Sequence, residues 1–272
     1  MDAWRTGEVE VDGVRLRYAR AGSGPPLVLA HGFSDDGGCW ASIAEALAGE
    51  YELIMPDARG HGRSSAPERD YGAEAHARDL AGLIGALELG RPLLLGHSMG
   101  AISIMTLAAL HPGLPRAIAL EDPPPWWTLD EPILVDDGWR EQGKAWIAGF
   151  QERSVDELVA ARQAESPEWP AADFRPWVES KRRLHPNVFN NERSVAGGWR
   201  DSLRRISCPA LLLAGDVELG AMVAAEHAAK LRELIPQLQL AHLPGASHDV
   251  RRRQFAPYVA AVRAFFAQVP PA

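Results

Sequence analysis

The residues best able to do chemistry sit in Gly96-His97-Ser98-Met99-Gly100, between the apolar run Pro92-Leu93-Leu94-Leu95 and the helix-like run Ala101 to Leu110. A serine in a tight strand-to-helix turn needs small residues two before and two after it. The turn has no room for side chains there and strains the backbone of the serine. Gly96 and Gly100 meet that demand. The strain lifts the hydroxyl clear of a sheet edge, and the helix that follows aims its N–H groups and positive dipole end at an oxyanion forming there. Ser98 is therefore the candidate nucleophile. A hydroxyl attacks a carbonyl when a base takes its proton, a carboxylate orients that base, and donors meet the negative oxygen that develops.

Such groups must be positioned by a scaffold, and the hydrophobic pattern predicts one. Short apolar runs alternate with helical periodicity, the mark of a parallel sheet flanked by helices. Strands are expected near Glu8–Val11, Val14–Ala19, Leu27–Ala30, Glu52–Met55, Leu93–Leu95, Ala117–Leu120, Ala210–Ala214 and Gln239–Leu243. Asp12-Gly13 is a hairpin signal, so the sheet opens antiparallel and continues parallel. Helices are expected over Trp40–Leu47, Ala73–Leu89, Met99–Leu110, Met222–Leu234 and Ala256–Ala267. The rhythm breaks after Pro123. The stretch to about Arg205 opens with three prolines and holds seven of the nine tryptophans, Trp126, Trp127, Trp139, Trp146, Trp169, Trp177 and Trp199. It reads as a helical cap, residues 123–205, inserted into a core formed by 1–122 and 206–272. Trp126, Trp127 and Trp177 are the predicted pocket wall, against the plainer reading that large aromatics glue the cap to itself.

With 272 residues, 46% hydrophobic and 24% charged, the chain has the composition of a soluble globular protein with a large core. A net charge of −8 argues against nucleic acid as a partner, and Arg251-Arg252-Arg253 reads as a solvated helix start. Cys39 and Cys208 have neither disulfide nor zinc spacing. The acidic N-terminus lacks the basic and apolar regions of a signal peptide, which points to the cytoplasm. The run from Pro92 to Leu110 is better explained by a buried strand and helix than by a membrane span. The sequence implies no metal or cofactor, and it sets no oligomeric state.

Three turns carry a resemblance that covers nearly the whole chain: His31-Gly32-Phe33 after the third strand, Gly60-His61-Gly62-Arg63-Ser64 after the fourth, and Gly96–Gly100 after the fifth. They resemble the oxyanion loop, the second turn and the nucleophile elbow of the α/β-hydrolase superfamily, in particular its capped serine hydrolases. The resemblance implies that the main-chain N–H groups of Phe33 and Met99 receive the oxyanion and that His248, just past the last strand, is the base. His31 and His61 would then bond to nearby backbone. The side chain of His97 would point away from the chemistry.

Two strand ends offer the acid: Glu121-Asp122-Pro123 after the sixth strand and Gly215-Asp216-Val217-Glu218 after the seventh. Most members of the superfamily resemble the second pattern, which lands on Glu218. A branch of capped lactonases and dehalogenases resembles the first, which lands on Asp122. Asp122 is preferred because the prolines after it hold the strand end rigid, whereas Glu218 lies beside glycines. Glu121 should then face away from the site, and Asp216 caps a turn.

A serine at the elbow argues against dehalogenase and epoxide hydrolase chemistry, which the resemblance ties to aspartate. The expected reaction is hydrolysis of a small to medium, largely apolar ester or lactone through an acyl-enzyme. A diketone C–C hydrolase, a perhydrolase or haloperoxidase, and a hydrolase-fold ligand receptor are the alternatives. Arg162, Arg175, Lys181, Arg182 and Arg183 would contradict an uncharged substrate if they turned inward.

Overall fold

The computed structural model describes residues 4–129, 137–190 and 199–271. Residues 1–3 of the N-terminal stretch read above lie outside them. Eight strands form one sheet: β1 (Arg5–Val11), β2 (Val14–Ala21), β3 (Pro26–Ala30), β4 (Glu52–Pro56), β5 (Leu93–His97), β6 (Ala117–Glu121), β7 (Ala210–Ala214) and β8 (Leu238–His242). Their order is β1-β2-β4-β3-β5-β6-β7-β8. The β1–β2 and β2–β4 pairs are antiparallel and every later pair is parallel. The opening hairpin turns at Asp12 and Gly13, both with positive φ (48° and 78°), as its right-handed twist requires.

The central strands are apolar at nearly every position because both faces are covered. Alternate residues divide between two layers. Val28, Ile54, Leu94, Ile118 and Leu212 face a cluster shared with helices α2 (Ala73–Ala86), α3 (Met99–Leu110) and α8 (Ala225–Leu234). Leu27, Leu53, Leu93, Leu95, Leu211 and Leu213 face α1 (Ala41–Leu47) and α10 (Phe255–Phe266). Helix α3 is buried from Gly100 through Ala109 and has no polar face. That accounts for the long apolar run, and among the described residues no helix is long and apolar enough to cross a membrane.

Between β6 and β7 lie α4 (Asp137–Gln151), α5 (Val155–Glu165), α6 (Ala171–Arg183) and α7 (Trp199–Leu203). A capping box of Ser154 and Glu157 starts α5. Helix α6 docks on the start of α1, where Asp173 accepts from the Ser42 N–H at 3.1 Å and the Ser42 hydroxyl at 2.9 Å.

Three expectations need correction. Helix α8 starts at Ala225, not at Met222, because the N–H groups of Met222 and Val223 are used outside the helix, on Asp122. The turn before α1 is a 3-10 helix over Gly37–Trp40, drawn tight by Asp36 accepting from the Gly38 N–H. The arginine run is not solvated: Arg251 and Arg252, in the short helix α9 (Val250–Arg253), are 0% and 1% exposed, since buried carboxylates neutralise them.

Backbone packing is closest at Gly100, where a Cβ would lie 2.1 Å from the Ala30 carbonyl oxygen. Gly100→Ala must push α3 away from β3 and is expected to lose on the order of 3 kcal/mol. Gly85→Ala, exposed on α2 where an added Cβ meets nothing within 4 Å, should be neutral or gain up to about 1 kcal/mol. Urea unfolding of the two variants checks the contrast, and equal effects would contradict the packing argument.

Candidate active site

The carboxyl ends of β3, β5 and β6 and the loop after β8 converge on one place, as expected at the reaction edge of an open α/β sheet. Ser98 occupies the turn from β5 into α3 with φ 51° and ψ −114°, outside the regions open to ordinary residues. Strain of this kind costs about 1–3 kcal/mol and persists only where the surroundings enforce it. Here Gly96 enforces it: a Cβ there would lie 2.6 Å from the carbonyl carbon of Gly100. The Ser98 N–H donates to the Glu121 carbonyl at 2.9 Å, which ties the turn to β6.

His248 and Asp122 meet directly. The ring Nδ1 lies 2.6 Å from the Asp122 carboxylate Oδ2. An ionised carboxylate only accepts, so Nδ1 carries the proton and Nε2 keeps its lone pair. Asp122 is fully buried and also accepts from the N–H groups of Met222 (2.8 Å) and Val223 (3.0 Å). Burial pushes the His248 pKa down, but the Asp122 hydrogen bond and charge outweigh it, and the net shift is upward. The other candidate acid, Glu218, is exposed in the turn after β7. Asp216 holds the loop after β8, accepting from the Gly245 N–H at 2.7 Å and pairing with His242 at 2.8 Å.

The His31-Gly32-Phe33 loop abuts the serine. A Cβ on Gly32 would stand 3.4 Å from the Ser98 Cβ and 2.5 Å from His97 Nδ1, so only glycine fits. His31 donates from Nδ1 to the Gly32 carbonyl at 2.8 Å and accepts the Ala58 N–H on Nε2 at 3.0 Å. His61 donates to the Arg59 carbonyl at 2.8 Å, and burial holds it neutral by pushing its pKa far down. Met99 opens α3, so its N–H has no acceptor within the helix. The Phe33 ring is exposed and meets His61 and Phe189 edge-on, at centroid distances of 5.9 and 5.6 Å.

His97 departs from expectation. Its ring packs 4.7 Å from that of His248, and its Nε2 bonds the His248 carbonyl at 3.0 Å. It therefore faces the loop that carries His248. Trp127 is likewise corrected: it is 2% exposed within the core cluster and donates its indole N–H to the His227 carbonyl at 2.9 Å. Its polar edge thus found a partner inside the fold. Trp126 is half-buried against the same cluster. Trp177, half-buried, lies under Arg162 at 4.1 Å and Lys181 at 4.6 Å.

Sequence reasoning missed two sets of groups. The Met222 and Val223 amides had no residue-type signal, because any residue but proline supplies an N–H. The second set is a buried cluster of Asp35, Glu121, Asp173, Lys181, Arg251 and Arg252 behind the site. The adjacent acids Asp35-Asp36 after the His-Gly-Phe loop were a usable signal for it.

Residues 25–250 match the family model of the alpha/beta hydrolase fold. The chain is 30% identical to 2-(acetamidomethylene)succinate hydrolase of Mesorhizobium japonicum, an alignment covering 92% of this chain and 90% of that one. It is also 30% identical to N-formylmaleamate deformylase of Pseudomonas putida, covering 90% of each. A solved esterase from a Rhodococcus species superposes with TM-score 0.75 at 26% identity, covering 98% of this chain and 99% of that one.

The raised pKa of His248 is open to measurement by proton NMR. The imidazole is expected to titrate above 6.5, and Asp122→Asn to lower the midpoint. Because the folded value is raised, this group adds stability below pH 6.5 that is lost as the pH climbs through the folded value. A midpoint unmoved by Asp122→Asn would contradict the assigned cause.

Proposed function

The chain belongs to the α/β-hydrolase fold family, and from that premise we propose that it is a serine hydrolase that cleaves a small acyl compound, an ester or lactone, through an acyl-enzyme. One observation carries the reading: His248 is held by the buried Asp122 at 2.6 Å, with its Nε2 left to take a proton. The strained Ser98 turn abuts the Gly32 loop, and His97, next to Ser98 in the turn, packs its ring 4.7 Å from that of His248.

In the proposed cycle Ser98 Oγ attacks the carbonyl carbon while His248 Nε2 takes the hydroxyl proton. The carbonyl oxygen becomes an oxyanion held by the N–H groups of Phe33 and Met99. Collapse breaks the bond to the leaving group, which departs with the proton from His248. Water then repeats the sequence on the acyl-enzyme, giving up its proton to His248 and releasing the acid from Ser98. Asp122 keeps the ring in the required tautomer and offsets its positive charge in both halves. The inserted helices α4 to α7 act as the cap over this site, and Trp126 and Trp177 are its proposed aromatic wall.

Five cap cations support an uncharged substrate, since each of them is already engaged. Lys181 pairs with Asp35, Arg183 with Asp36, Arg175 with Asp156 and Arg162 with Glu165, while Arg182 donates to the Phe150 and Arg153 carbonyls. A second reading, cleavage of an amide, is favoured by the names of the two curated relatives, which act on N-acyl compounds. It uses the same catalytic residues and differs in the leaving group that His248 must protonate and in substrate charge, since both names are those of carboxylates.

The test is turnover of p-nitrophenyl acetate and butyrate, with N-formylmaleamate and 2-(acetamidomethylene)succinate as the amide arm. Ser98→Ala should abolish hydrolysis, and equal rates for wild type and Ser98→Ala would point to a ligand receptor. Asp122→Asn is expected to lower kcat by on the order of 10³ or more, through loss of the tautomer and of imidazolium stabilisation. Glu218→Gln should leave it within about twofold. The reverse ranking would overturn the choice of acid. The kcat/KM of the wild type should fall below a midpoint above pH 6.5, as His248 becomes protonated.

A further inference from the structure

Phe33, Asp122 and His248 each have a near neighbour in sequence whose carboxylate takes part in a layer of contacts behind the site. Asp35 follows Phe33 by two, Glu121 precedes Asp122, and Asp249 follows His248. Adjacent strand residues face opposite ways, so Glu121, the last residue of β6, is turned from the face that Asp122 occupies. In this layer Arg251 donates to Asp35 Oδ2 at 3.2 Å and to Glu121 Oε2 at 3.2 Å, and its own N–H reaches Glu121 Oε1 at 2.9 Å. Arg252 donates to the same Asp35 Oδ2 at 3.0 Å and to Asp249 at 2.5 Å. Lys181 of α6 donates to Asp35 Oδ1. Tyr258 closes the far end with a bond to Glu121 at 3.1 Å.

Asp35 thus joins three separate parts of the molecule. It ends the tight turn that contains Phe33, where its own N–H donates to the Gly32 carbonyl at 3.1 Å and Ser34 has φ 66°. Its carboxylate grips two arginines of α9, three and four residues past His248, and one lysine of the cap. Among the described residues no other carboxylate is paired with all three. Three cations hold Asp35 ionised against its burial, its pKa lying well below the ordinary range.

We propose that Asp35 is a positioning residue for the oxyanion loop: it fixes the Phe33 N–H relative to Ser98 and His248, with Lys181 extending the same clamp to the cap. This rests on the hydrolase reading above. Preorganised donors stabilise an oxyanion only when held in place before charge develops. A turn held by its first residues alone, with Ser34 in a left-handed conformation, is free to relax at its far end once the carboxylate lets go.

The experiment compares wild type with Asp35→Asn and with the double variant Asp35→Asn/Lys181→Met, which leaves no buried ammonium facing an amide if the single change fails to fold. Active sites are counted by stoichiometric labelling with a fluorophosphonate, and kcat is expressed per labelled site for p-nitrophenyl acetate. Expected is a fall in kcat of about tenfold to a hundredfold, somewhat less than removal of an oxyanion donor outright. KM should stay within about threefold and the acidic limb of the pH profile should not move, because the His248–Asp122 pair is untouched. Unchanged kcat per labelled site, with only a lower Tm or a smaller labelled fraction, would reduce Asp35 to a structural role and overturn the proposal. A displaced acidic limb would also overturn it, since Asp35 would then act through the field at His248. A wild type that is neither labelled nor active would instead defeat the hydrolase reading itself.

Discussion

A carboxylate shut away from water must be met by hydrogen bonds or cations, and that requirement organises the carboxyl edge of this sheet. Asp122, Glu121 and Asp173 are all 0% exposed and Asp35 is 3% exposed. Each is satisfied by groups brought from far along the chain: amides after β7 for Asp122, α9 and Tyr258 for Glu121, α1 for Asp173, α9 and α6 for Asp35. Removing one partner from such a set typically costs about 3–5 kcal/mol, because the remaining charge is left buried and alone. The loops at this edge are therefore tied to distant segments of the chain. A hydroxyl and an imidazole carried on separate loops need that kind of support.

The second constraint is steric and acts on the backbone. β3, β5 and the start of α3 approach so closely that Gly32, Gly96 and Gly100 have no space for a Cβ. Small residues bring the main chains together, and the closeness in turn forces Ser98 into positive φ. Charge and contact thus fix the same region by independent means. One binds side chains behind the site while the other presses the backbone in front of it.

Much of this was readable from residue types. Strands buried on both faces give leucine and isoleucine runs, and seven of the eight lie within two residues of their expected ends; β1 begins three residues early. The elbow was readable because its glycines are a steric necessity at fixed spacing. The Asp122 position followed from a strand end stiffened by prolines, and the structure brings that side chain to His248. Less readable was whatever depends on distant pairing. Arg251 and Arg252 resemble a solvated run when their neighbours in sequence are all that is seen, since Asp35 lies 216 and 217 residues away. Trp127 looked like pocket wall because its partner, the His227 carbonyl, leaves no mark in composition. The path of His97 was misjudged for a similar reason: the turn fixes its backbone, but a loop 151 residues on decides what its ring meets.

Helix α3 carries a consequence for how the molecule comes apart. A helix wrapped on all sides by other elements has no amphipathic stripe with which to linger at a surface, so it gains nothing by detaching on its own. By that packing its amide hydrogens are expected to exchange with solvent only when the whole chain opens. The segment bearing the serine is thereby spared the piecemeal fraying open to peripheral helices, and the integrity of the centre and of the entire molecule becomes one cooperative quantity.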